Sequence, residues 1–166
     1  YDLIREGKLF RIIALKDFGF IKKGELGGLI EKESNLSQKN ECWIHENAKV
    51  TGNAEVSGNA QIFGNTLVSG DALVSGDAEV YGNALVSGDA RVTGNAQIID
   101  NSKVTGNATV YSTAYVLGNA KATKEVITFG NIFDYEITIT DNHIKIGCQQ
   151  YLKSRWLEFT NKEILE

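Results

Sequence analysis

Between Ile44 and Ala122 an aliphatic residue returns at every sixth position, with polar or small residues between. The series is Ile44, Val50, Val56, Ile62, Val68, Val74, Val80, Val86, Val92, Ile98, Val104, Val110 and Val116, closed by Ala122. Four residues after each aliphatic comes a small side chain, alanine everywhere except Thr66 and Ser102. The resulting hexads, TGNAEV, SGNAQI, SGDALV and their neighbours, run from His45 to Ala122 with no residue inserted or lost. A period of six fits neither the 3.6 of an amphipathic helix nor a long two-residue alternation, so each unit predicts a short strand followed by a turn. The aliphatic points inward from the strand centre, and the small residue points inward at a corner too tight for anything larger. Gly followed by Asn or Asp takes the bend, because these residues accept positive φ at least cost. Each hexad is thus one edge of a polygon.

The flanks lose this period and supply ends. Upstream, Leu9–Leu15 reads as a strand, followed by a turn and a glycine-rich return into the first repeat, with Leu36 and Trp43 available to cover the open end. Downstream, YEITIT and HIKIGC alternate on either side of Asp141-Asn142, a two-residue hairpin turn. Leu152, Trp156 and Phe159 then fall at helical spacing, which predicts a short amphipathic α-helix packed on that hairpin. The chain divides into an N-terminal β cap (1–43), a repeat region (44–122) and a C-terminal hairpin and helix module (123–166).

The V-S-G-D-A-E pattern resembles the hexapeptide repeat of left-handed parallel β-helices, in which three hexads make one triangular coil. That resemblance implies an all-β, left-handed triangular solenoid of 18 residues per coil; the handedness follows from the resemblance and not from the spacing. The strings ALKDF, GG, LS and CWI upstream, and IGCQQYLKSRW downstream, are similar to those of a bacterial and phage group of hexapeptide-repeat proteins of the YdcK type, some of them labelled transferases. The same resemblance implies a phage or prophage origin.

Composition narrows the partners. Among 166 residues, 42% are hydrophobic and 23% charged, as in one soluble domain. No apolar run approaches the roughly 20 residues of a membrane span, and YDLIREGKLF lacks the basic and apolar blocks of a signal peptide, so a cytoplasmic location and no membrane partner are expected. A net charge of −4 gives no electrostatic reason to bind nucleic acid. Cys42 and Cys148 fit no metal spacing and read as reduced thiols.

Candidate chemistry is sparse. The best-known enzymes with this repeat are acyltransferases in which a histidine activates the acceptor beside acyl-coenzyme A, usually under a loop that projects from the coils. Here there are two histidines, and no hexad is interrupted by a loop. His45 reads as a partly exposed face residue and His143 as a solvated strand start, so neither is assigned as catalytic and no cofactor is expected. Asn47, Asn65, Asn83, Asn101 and Asn119 share a corner column and predict an amide ladder. Asn53, Asp71, Asp89 and Asn107 share the next, where a cation such as calcium could bridge two carboxylates; solvated turn aspartates are the preferred reading, and no metal is expected. Outward pairs such as Lys49/Thr51, Leu67/Ser69, Arg91/Thr93 and Thr109/Tyr111 are too mixed for matching an ice-like lattice.

One column stands out. Outward on the face of Ile44, Ile62, Val80, Ile98 and Val116 lie Phe63, Tyr81, Ile99 and Leu117, with Tyr115 beside them and Leu67 and Leu85 around the adjoining corner. A contiguous apolar stripe of this kind marks an interface. Its cover is either another copy of the chain, which family habit makes a trimer or dimer, or the C-terminal hairpin and helix folded back along the prism; self-association is favoured. The expected function is a non-enzymatic β-helical scaffold or protein-binding protein, a phage accessory factor that engages a host protein, including a defence protein, in the host cytoplasm. A coenzyme A-dependent acyltransferase, or a degenerate relative, is the alternative.

Overall fold

The computed structural model describes residues 1–132 and 135–159. Each hexad forms a two-residue strand, such as Lys49–Val50, Glu55–Val56 and Gln61–Ile62, continuing to Lys121–Ala122. Each of these strands as far as Lys103–Val104 pairs in parallel with the strand one coil on: Val50 with Val68, Val56 with Val74, Ile62 with Val80. Consecutive strands therefore enter different sheets, and three parallel sheets make the faces of a triangular solenoid. The first face carries the Val50 column, the second the Val56 column and the third the Ile62 column. Val80 lies between Ile62 and Ile98 on the third face, and all three are fully buried.

The corners explain the remaining hexad positions. The second residue of each hexad is left-handed, as at Gly76 with φ 75°, and three exceptions hold the same conformation without glycine: Glu46 (φ 48°), Asp100 (φ 62°) and Ser112 (φ 60°), the last before Thr113 and not Asn or Asp. Among the described residues, the Asn or Asp that follows is not left-handed. Its backbone N–H instead donates to the carbonyl one coil on, as Asn53 does to Gly70 O at 2.8 Å and Asp71 to Gly88 O at 2.9 Å. The bend therefore needs positive φ at one position of the pair and not at both. At Gly76 glycine is also favoured by space, since a methyl group there would lie 2.8 Å from the Gly94 nitrogen.

Upstream, Asp2–Glu6 and Leu9–Ile13 form an antiparallel hairpin, and Leu26–Ile30 pairs antiparallel with its second strand and parallel with Lys49–Val50. The first face thus runs without a break from an antiparallel cap into the parallel stack. Leu36 bridges in parallel to Val56, and Trp43–Ile44 pairs with Gln61–Ile62. Ile30, Leu36 and Ile44 therefore complete a coil that precedes the regular hexads, with one edge lengthened because Ile44 follows Leu36 by eight positions and not six. Leu36 and Trp43 are buried at 2% and 1% exposure, as parts of that coil and not as lids over it.

Downstream, Ile127–Ile132, Tyr135–Ile139, His143–Ile146 and Gln149–Leu152 form an antiparallel sheet, with Asp141-Asn142 at the predicted turn. The helix is a single turn, Lys153–Trp156, shorter than predicted: Leu152 ends the preceding strand and Leu157–Phe159 are not helical, while residues 160–166 lie outside the described residues. Trp156 Nε1 donates to Ile144 O at 2.9 Å, and Tyr151, Trp156 and Phe159 pack edge to face within 5.5 Å. This module sits on the last coil. Thr113 Oγ1 donates to Glu136 Oε1 (2.7 Å), Lys121 N–H to Asn142 Oδ1 (2.9 Å), Thr123 N–H to Asp141 Oδ2 (2.7 Å) and Gln150 Nε2 to Leu117 O (2.9 Å). The hairpin and helix cap the far end and do not fold back along the prism. No helix among the described residues is long and apolar enough to cross a membrane.

Candidate functional site

The third-face ridge is set by coil stacking: side chains one coil apart are separated by roughly the 4.8 Å between paired strands, so a column of apolar residues is continuous. His45 begins it, its ring stacked on Phe63 with centroids 4.1 Å apart and planes at 16°. Gln61 Nε2 donates to Glu41 O (2.7 Å) and Asn59 O (3.1 Å), which leaves Gln61 Oε1 as the acceptor for His45 Nε2–H at 2.9 Å. His45 is thereby held flat as part of the ridge. Phe63, Tyr81, Ile99 and Leu117 follow, each half-buried, with Leu85 half-buried and Leu67 37% exposed around the corner. Burial, with the Glu79 charge adding to it, pushes the Tyr81 hydroxyl above its ordinary pKa. Asn65 donates to Asn83 (3.2 Å) and Asn83 to Asn101 (3.3 Å), so an amide ladder lines the corner between the two apolar columns. Asn47 and Asn119 make no rung of it among the described residues.

The C-terminal cap engages two members of the stripe. Lys145 Nζ lies 4.6 Å above the Tyr115 ring, so Tyr115 belongs to the docking of the cap, and Leu117 abuts the same module through its carbonyl. Phe63, Tyr81, Ile99, Leu67 and Leu85 are left as the open stretch.

The other candidates are dispersed. His45 lies on the coil nearest the N-terminal cap and His143 in the sheet that covers the opposite end. Burial lowers the His143 pKa, and its Nδ1 is buried without a hydrogen-bond partner. Both cysteines are free thiols; burial pushes Cys42 up to about 11, whereas Cys148 is exposed. In the acidic corner column Asn53 Nδ2 donates to Asp71 Oδ1 at 2.9 Å, beside a groove of about 480 Å³ that Glu55, Asp89 and Arg91 also line. No group of three or more His, Cys, Asp or Glu side chains among the described residues is arranged to hold a metal ion.

A second surface escapes the sequence pattern. At the N-terminal end, Tyr1, Leu15, Phe18, Cys42 and Trp43 line a hollow of about 630 Å³, and Phe20 beside it is 98% exposed. The only local signal is Phe-Gly-Phe in the loop, which marks a turn but not what the turn packs against.

Residues 60–76 match the family model of the YdcK beta solenoid repeat. No curated protein matches the chain. The matched segment lies within an unbroken stack of parallel coils closed at one end by an antiparallel sheet, so the chain is a β-solenoid with a segment similar to the YdcK beta solenoid repeat.

Proposed function

We propose that this solenoid is a non-enzymatic scaffold that binds protein through its third-face ridge, and in the first place binds another copy of itself. One observation carries the reading: with both end modules docked, Phe63, Tyr81 and Ile99, with Leu67 and Leu85 around the corner, still form a contiguous partly open apolar surface. Each large side chain buried there contributes roughly 1.5–3 kcal/mol before the costs of association. The more polar remainder of the prism then stays available to a host-cell protein, the partner expected of a phage accessory factor. Tyr81→Glu combined with Ile99→Lys tests the ridge by light scattering and circular dichroism. A folded chain of reduced mass is the expected result; an unchanged oligomer would remove the ridge from consideration. Micromolar binding of acetyl-coenzyme A in a calorimetric titration would instead favour the transferase alternative.

A further inference from the structure

The loop between Leu9–Ile13 and Leu26–Ile30 is built as a knob. Phe18 and Ile21 exchange backbone hydrogen bonds at 3.1 and 2.8 Å, which leaves Gly19 and Phe20 as a two-residue tip, with Gly19 at φ 49°. Asp17 clamps the base, accepting from Lys23 N–H at 2.8 Å while Lys22 Nζ lies 3.4 Å from its other oxygen. Ile21 is buried and Phe18 packs edge-on against Trp43 at 5.4 Å, so the loop is anchored from within while Phe20 projects into water.

A lone exposed apolar residue needs no explanation. Phe20 is not alone: the hollow lined by Tyr1, Leu15, Phe18, Cys42 and Trp43 lies beside it, and Leu15 on its wall is 56% exposed. One pair of charges also matches. Glu41 stands on the rim next to the tip, since a methyl group on Gly19 would lie 3.1 Å from Glu41 Oε2. Lys23 on the knob and Glu41 on the rim take part in no ion pair among the described residues. A convex apolar tip flanked by Lys23 therefore adjoins a concave hollow, apolar at Leu15, Phe18 and Trp43, whose more polar side carries Glu41 and also Lys16, on one end of one molecule. A twofold contact requires this arrangement, because the same patch must be complementary to itself.

We propose that two copies of the chain dock through their N-terminal ends about a twofold axis, Phe20 of each entering the hollow of the other and Lys23 of each facing Glu41 of the other. The contact is separate from the ridge. Sedimentation velocity on the full chain tests it. Phe20→Asp should halve the mass and leave the circular dichroism and melting curve unchanged; Phe20→Ser gives the same reading should the aspartate disturb the turn. Lys23→Glu and Glu41→Lys should each halve the mass, and the two together should restore it, as only a contact between opposed charges allows. The same series in a chain carrying Tyr81→Glu and Ile99→Lys keeps the two surfaces apart: halving by Phe20→Asp in that background supports the end contact whatever the ridge does. A wild-type chain that sediments as a single copy, or a mass indifferent to Phe20→Asp, overturns the proposal, and a charge swap that fails to restore the mass overturns the Lys23–Glu41 pairing.

Discussion

Gly76 and Gly106 occupy the same corner position at φ 75° and 64°, yet their surroundings differ. A methyl group on Gly76 meets the backbone of Gly94 at 2.8 Å, whereas on Gly106 the nearest atom is Thr123 O at 3.5 Å. Alanine at either site incurs the left-handed penalty of roughly 1–2 kcal/mol. Gly76→Ala must in addition push two paired coils apart, so its denaturation midpoint should fall further than that of Gly106→Ala; equal losses would mean that the coils separate freely. Val80, fully buried between Ile62 and Ile98, marks the other extreme. Val80→Asp should cost several kcal/mol because the carboxylate finds no partner in the prism, while Glu79→Ala beside it should change stability by less than about 1 kcal/mol. A parent-like melting curve for Val80→Asp would refute the inward register. That register was legible because thirteen hexads run without a slip. Which residue of a Gly-Asn pair turns left-handed was not, since both types tolerate it; the amide bond from the Asn position to the next coil decides the matter.

At the scale of elements, the N-terminal cap is tied to the stack by a phenol. The Tyr1 hydroxyl donates to Leu36 O at 2.7 Å, and burial, with the Glu33 charge adding to it, raises its pKa from 10.0 to about 12. A folded pKa above the unfolded one favours the protonated form in the native state. The contribution to stability is therefore complete below about pH 10 and is lost as the pH rises through 12. Thermal melting between these limits should show the decline, and Tyr1→Phe should lessen it, the raised Cys42 thiol supplying part of the remainder; an identical decline in that variant would place its origin elsewhere. The coil that Tyr1 holds was hidden in the sequence by its irregular edge, because Ile44 follows Leu36 by eight positions and not six. The pairing of Leu36 with Val56 reveals it. The C-terminal turn at Asp141-Asn142 was plain from its flanking alternation, but its docking was not: Asp141 and Asn142 bind Thr123 and Lys121, a choice that no local pattern encodes.

Across the whole molecule, the ridge was readable as a column and its cover was not, because that depends on where the chain travels after the last coil. Parallel stacking in one register has a further consequence for how such a protein changes length. Every residue beyond a given coil keeps its face only if residues are gained or lost in whole coils, as the pairing of Val68 with Val86 shows. Removal of residues 69–86 should give a folded chain one coil shorter, with its far cap still aligned to the remaining ridge. Removal of 69–74 alone satisfies every local rule of the repeat and should also fold. It would, however, turn everything downstream by about a third of a revolution and set Ser87, not Tyr81, next to Phe63. Light scattering should then report that the six-residue deletion loses the association made through the ridge. Heredity can therefore edit this gene smoothly only in threes, and a single spare hexad acts as a rotation of one end of the protein against the other.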